Sequence, residues 1–175
     1  MVAPTRPKGV KAYLTDKWVW VPTLANPAAP TVSELTGASS LDVTLMFYQS
    51  SAKPGSSTNM ATAPKRVGDG QSYQFVGETQ QTLGEMRYAF DSQSSTGSDG
   101  RKAFEKFPEG ATGYLVRRRG KNRLLDIIAG DKVWAYPAEC GPQAEAEEGD
   151  NEGAETAIAQ SFAQNGPTIK DVAVV

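Results

Sequence analysis

The stretch GDKVWAYPAECGP, Gly130 to Pro142, followed after an acidic run by ETAIAQSFAQNGPTIKDVAVV, Glu155 to Val175, decides how the chain is read. Both segments look extended, and the sequence closes on Val172, Val174 and Val175 with no polar residues after them. Such an end is expected to pair with another strand, because an open apolar edge is a liability. Pro137 places the first segment at a sheet edge or at a bend. Between the two lie Glu145, Glu147, Glu148, Asp150 and Glu152, spaced by Ala and Gly. That composition cannot bury a core, and residues 143–154 read as a solvated acidic loop. Residues 154–164 are ambiguous. Ala157, Ile158 and Phe162 would share a helix face, whereas Thr156, Ile158, Gln160 and Phe162 would share a strand face, and propensity alone favours helix.

Upstream, RRRGKNR at Arg117–Arg123 supplies turn chemistry between two extended runs. On a strand, Arg117 and Arg119 point to one side and Arg118 to the other. The cluster reads as a wet hairpin tip, as a charge contact with the acidic loop of a neighbouring copy, or as a nucleic-acid patch. The last is disfavoured by the missing interleaved aromatics. The charges are segregated: net +4 over residues 1–139 and −6 over residues 140–175.

The rest of the chain is mostly of period two. A basic arm, residues 1–9, precedes GVKAYLTDKWVWVP, read as two short strands around Thr15-Asp16-Lys17. In the second, Trp18 and Trp20 oppose Val19 and Val21, so this strand lies between two layers or at a contact between molecules. PTVSELTG is a helical turn with Ser33 as cap and Gly37 as stop. SLDVTLMFYQ from Ser40 reads as a strand. The long polar segment 49–70 lacks periodicity and is either disordered or reaches for a partner. SYQFVGE and LGEMRYAFD read as strands around a turn. SDGRKAFEKFPEG reads as a helix, capped by Ser98 or Asp99, with Ala103, Phe104 and Phe107 as its apolar stripe. ATGYLVRRR, RLLDIIAG and DKVWAYPAE complete a meander.

Length and composition fit one domain spanning 1–175. At 39% hydrophobic, with 17 Gly and 11 Pro, the chain suits short strands joined by turns. Residues 1–7 lack the apolar core of a signal peptide, so synthesis in a cytoplasm is expected. Cys140 is the single cysteine and there is no histidine, which removes intrachain disulfides, imidazole triads and His-containing zinc sites. With no nucleotide-binding loop or calcium loop, neither catalysis nor a cofactor or metal is expected.

GDxVxxYPxEcG (Gly130, Asp131, Val133, Tyr136, Pro137, Glu139, Gly141), a polar insert, a run ending at Phe162, Gly166-Pro167 and the terminal Asp171–Val175 resemble the major tail tube proteins of long-tailed, siphovirus-like bacteriophages. The PTVSELTG turn before a strand and the helix before GYLVRRRG resemble that family in order. The resemblance implies a mainly β fold, a sandwich or barrel with one flanking helix, a long extended loop and an N-terminal arm. It makes residues 155–164 a strand. It further implies a structural virion protein of the tail, assembling as stacked hexameric rings around a DNA channel. The implied partners are copies of itself, a tape measure protein, a tail terminator and distal tail or baseplate proteins. Duplex DNA would pass without specific binding, and no membrane would be involved. The candidate subunit-interface residues are Trp18, Trp20, Arg117, Arg118, Arg119, Lys121, Arg123, Glu147 and Glu148. Other readings are a tail terminator, a capsid decoration protein, or a carbohydrate-binding β-sandwich.

Overall fold

The structure, a computed structural model, describes residues 5–175. The arm expected over residues 1–9 therefore lies partly outside the described residues, and its remainder, 5–9, is exposed and irregular. The fold is mainly β, a sheet curled into a half-barrel. Its strands are β1 (Lys17–Val21), β2 (Leu41–Asp42), β3 (Gly55–Thr62), β4 (Gln74–Thr82), β5 (Gly84–Ala89), β6 (Thr112–Arg118), β7 (Lys132–Glu148), β8 (Glu155–Ala163) and β9 (Ile169–Ala173). Two helices of five residues, α1 (Val32–Thr36) and α2 (Lys102–Lys106), flank them. No helix among the described residues is long and apolar enough to cross a membrane.

The main sheet runs β2-β1-β6-β7-β8-β5, with β9 also on β7, and every pairing in it is antiparallel. The seventeen-residue β7 is its spine rather than an edge. One side of β7 carries β6. The other carries β9 over 132–135 and β8 over 139–148. Pro137 sits at that hand-over, where its missing N–H breaks no ladder bond. The closing valines are paired within the chain: Val172 lies opposite Val133, and the Val174 N–H donates to the Asp131 carbonyl at 2.9 Å.

The sheet is apolar on both faces, as the Trp/Val alternation of β1 requires. Trp18 and Trp20 join Leu115, Tyr136, Ile158, Phe162, Met86 and Tyr88 on one side, covered by Phe47 and Phe107. Val19 and Val21 join Val116, Val133 and Ala135 on the other, covered by Leu35 of α1, Ile127 and Val174. Gly113 of β6 lies against β1. A Cβ there would come 2.6 Å from Trp20 Cζ2 and 2.8 Å from the Val21 carbonyl oxygen. Gly113→Ala is accordingly expected to cost about 1–3 kcal/mol, read as a lower urea midpoint. An unchanged midpoint would mean that β1 can move aside.

Several sequence expectations are corrected. Residues 10–14 form no strand: Leu14 has φ 58° and residues 10–14 are exposed. The strand expected from Ser40 stops at Asp42, whose Oδ1 accepts the Thr44 N–H at 3.0 Å. Thr44 Oγ1 then both accepts from the Trp18 N–H and donates to the Trp18 carbonyl, which holds a turn to Phe47. The α1 cap is Thr31, not Ser33, in a reciprocal capping box with Glu34. Neither Ser98 nor Asp99 caps α2, which is a single turn; Asp99 instead pairs with Lys102 at 2.6 Å.

Larger corrections concern connections. RLLDIIAG is not a strand, because the guanidinium of Arg118 draws the carbonyls of Asn122, Leu125 and Asp126 toward itself. That leaves Leu124, Leu125 and Ile128 exposed and only Ile127 buried. The first half of the acidic segment 143–154 is strand: β7 runs on to Glu148 and turns through Gly149 and a short 3-10 turn at Asn151–Gly153 into β8, with which it forms a hairpin. Residues 155–163 are a strand, as the resemblance implied and against helix propensity. The segment 49–70 contains β3, and β4 pairs with β3 instead of β5.

Candidate functional site

The β3–β4 pair forms a separate two-stranded sheet. All of β3 is exposed, and of β4 only Gln81 is half-buried. Opposite Met60 stands Val76, and opposite Ala61 stands Phe75. Met60, Val76 and Phe75 are 52%, 73% and 64% exposed. Apolar side chains thus occur on both faces, since neighbouring positions in a strand alternate. The base of the hairpin is clasped to the body by Gln81, whose Oε1 accepts from Gln164 Nε2 (2.8 Å) and from the Thr168 N–H (2.9 Å) and Oγ1 (2.7 Å). Gly84, at φ 76°, then redirects the chain into β5. The hairpin is therefore fixed at its root and bare along its length.

The sequence-predicted arginines are mostly committed inside the chain. Arg118 is buried and donates through Nη1 to Asp131 Oδ2 (3.1 Å) and the Asp126 carbonyl (2.7 Å), and through Nη2 to the Asn122 and Leu125 carbonyls. Asp131, also buried, accepts from Lys121 and from the Ile128 N–H. Burial alone would raise its pKa, but Lys121, the Ile128 N–H and Arg118 together hold it below the ordinary carboxylate value. On the opposite side, as alternation requires, Arg117 and Arg119 share Asp16, at 2.6 and 3.0 Å. Arg117 also lies 5.0 Å over the Trp18 ring. Arg123 is half-buried, and its backbone N–H donates to the Leu14 carbonyl.

Trp18 and Trp20 lie inside the core at 4% and 2% exposure. They present no open ring face of the kind a sugar would stack on. Glu148 accepts from Ser50 and from Arg87, while Glu147 is exposed. The arginine cluster flanks the Val133 end of β7, and Glu147 lies fourteen residues along it, roughly 45 Å of strand contour. The two groups do not meet within one chain. What the sequence reading missed is β3 and its pairing with β4. Its signals were present: β-favouring Thr58 and Thr62, the alternation of Tyr73 and Phe75, and turn-forming Gly68-Asp69-Gly70 between them.

The buried Cys140 thiol and the half-buried Tyr48 phenol are held protonated at neutral pH. Burial pushes the Cys140 thiol up to about 12, so it stays protonated at neutral pH. Burial and the neighbouring Glu155 push the Tyr48 phenol up to about 12. Among the described residues no group of three His, Cys, Asp or Glu side chains is arranged to hold a metal ion.

The fold is a two-faced β sheet carrying a rooted but solvent-exposed hairpin. The family model described as "Phage tail tube protein" matches residues 4–175. The chain belongs to that family, whose members self-assemble into a tube with other tail proteins, and it is a structural component of the virion tail. No curated protein matches it.

Proposed function

We propose that this chain forms the tube of a long, siphovirus-like tail, stacking as hexameric rings around a channel through which duplex DNA leaves the particle. The observation that carries the reading is the β3–β4 hairpin. An isolated two-stranded hairpin is at best marginal in water, and this one exposes Met60, Phe75 and Val76 along both faces. Its two outer edges carry unpaired backbone groups that strands of identical copies would complete. Six copies contributing roughly four strands each, at about 4.8 Å spacing and 40° tilt, close a barrel about 48 Å across at the backbone, wide enough for a duplex. The hairpin root is neutral and polar, Ser56, Ser57, Thr79 and Gln80, which suits a wall that must not trap phosphates. The ends of such a tube would meet a tape measure protein, a terminator and distal tail proteins, with assembly in the host cytoplasm.

Electron microscopy of the purified chain tests this. The full chain is expected to form hollow rods at high concentration. A variant with residues 57–80 replaced by a short turn is expected to fold, by circular dichroism and melting, yet stay monomeric, a loss of rods beyond roughly a hundredfold in concentration. Rods from the shortened chain would remove the hairpin from the contact. Closed rings that never stack would favour a tail terminator, and isolated monomers that bind assembled capsids a decoration protein.

A further inference from the structure

We propose that the tip of the β3–β4 hairpin of one copy docks beside the acidic end of the β7–β8 hairpin of a second copy, with Lys65 and Arg66 facing Glu145 and Glu147. This rests on the self-assembly reading above and names the surface that receives the hairpin.

The acidic end is only partly compensated by its own chain. Arg87 is taken by Glu85 and Glu148, and Glu155 accepts from Tyr48. Among the described residues no cation pairs with Glu145, Glu147, Asp150 or Glu152. Of the arginines that sequence reading offered as their partners, Arg117 and Arg119 are occupied by Asp16 and Arg118 by Asp131, while Arg123, without an ion pair among the described residues, belongs to the cluster at the far end of β7. Another segment of a second copy can supply basic charge at this end. The hairpin tip carries it on a closed turn. Asp69 Oδ2 accepts the Arg66 N–H at 2.7 Å, and the Asp69 N–H returns to the Arg66 carbonyl at 3.0 Å. This turn holds Lys65 and Arg66 without a side-chain ion pair among the described residues and leaves Val67 fully exposed beside them.

The receiving surface has matching chemistry. An open groove beside the β7–β8 hairpin is lined by Phe90, Ala146 and Ala157 together with Glu145 and Glu147. An apolar side chain flanked by cations, Val67 beside Arg66 and Lys65, satisfies both parts of that lining. Charge complementarity of this kind sets register and partner choice between copies, and juxtaposed like charges are strongly disfavoured.

Two measurements on the full chain decide it. Lys65→Glu with Arg66→Glu, and separately Glu145→Lys with Glu147→Lys, are each expected to raise the concentration needed for rod formation by more than roughly tenfold, with melting unchanged. The four substitutions combined are expected to restore it. In parallel, Val67→Cys protein mixed with Ala146→Cys protein is expected to give a covalent dimer on mild oxidation, against little background because Cys140 is only 2% exposed. Rods that form normally from both charge-reversed variants, without the mixed dimer, overturn this contact and leave the tube reading standing. Dimers captured by Lys8→Cys in place of Val67→Cys would assign the groove to the N-terminal arm and overturn it as well. Wild-type protein that never associates would sink both.

Discussion

Arg118→Met is expected to lower the unfolding free energy by about 3–5 kcal/mol, the range for removing one member of a buried ion pair. Arg118 is 1% exposed, and its guanidinium is the organising centre of the connection from β6 to β7. Met fills much of the same space, so the loss reports on the polar contacts. It strands the carbonyls of Leu125 and Asp126, and it leaves buried Asp131 with Lys121, whose own side chain is half in solvent. The loop that places Ile127 over the second core face would loosen with it. Chemical denaturation provides the check, and a loss under about 1 kcal/mol would mean the loop is held by Ile127 alone. Asp131→Asn adds a test with a sign. Because the folded-state pKa of Asp131 is depressed, its stabilisation is full above the unfolded value of about 3.9 and disappears as pH falls through the lower folded value. The gap between Asn variant and wild type should be widest near neutrality and should close on acidification below about pH 4.

Phe107→Ala is expected to cost about 3–5 kcal/mol as well, for a different reason. Phe107 follows α2 and is wholly buried. Its ring meets Trp20 at 5.3 Å, Phe162 at 5.3 Å, Tyr88 at 5.6 Å and Phe47 at 5.8 Å, three of them edge-on. It thus joins β1, β5, β8 and the turn after β2 through one side chain. No smaller residue could collapse to fill a space walled by four aromatic rings, so the cavity cost should be near the top of the range. Phe107→Leu, which keeps most of the volume, is expected to lose about 1–2 kcal/mol. A Phe104→Ala variant should lose less than Phe107→Ala, since Phe104 is partly exposed and packs on Phe90 alone among the rings. Equal losses at 104 and 107 would contradict the placement of the core.

The candidate site was legible only in part. Segregated charge was plain from the residue order, and the opposed directions of Arg117 and Arg118 followed from strand geometry. Within the chain Arg117, Arg118 and Arg119 are held by Asp16 and Asp131, pairings of which the residue order carries no sign. Asp16 is adjacent to β1 and Asp131 to β7, so these pairings depend on which strands lie beside β6. β4 was legible through the alternation at Tyr73 and Phe75, but β3 was hidden by its own solvent exposure: Gly55–Thr62, buried on neither face, carries little of the alternation of polarity that betrays a strand.

By itself the sequence determined the β-rich class, the two-faced β1, and the extended character of β6, β7 and β9. In β6 and the first half of β7 period-two patterning coincides with burial that a neighbouring strand supplies, and β1 is buried on both faces. It also carried the helix before β6 and the resemblance that made β8 a strand. Tertiary structure alone decided that RLLDIIAG wraps a guanidinium instead of extending, that the acidic segment is a hairpin, and that β3–β4 stands away from the sheet. The physical reason is common to all three. A backbone carbonyl, an acidic strand or a bare hairpin takes its conformation from hydrogen-bond partners distant in the chain, and local side-chain polarity carries no record of them.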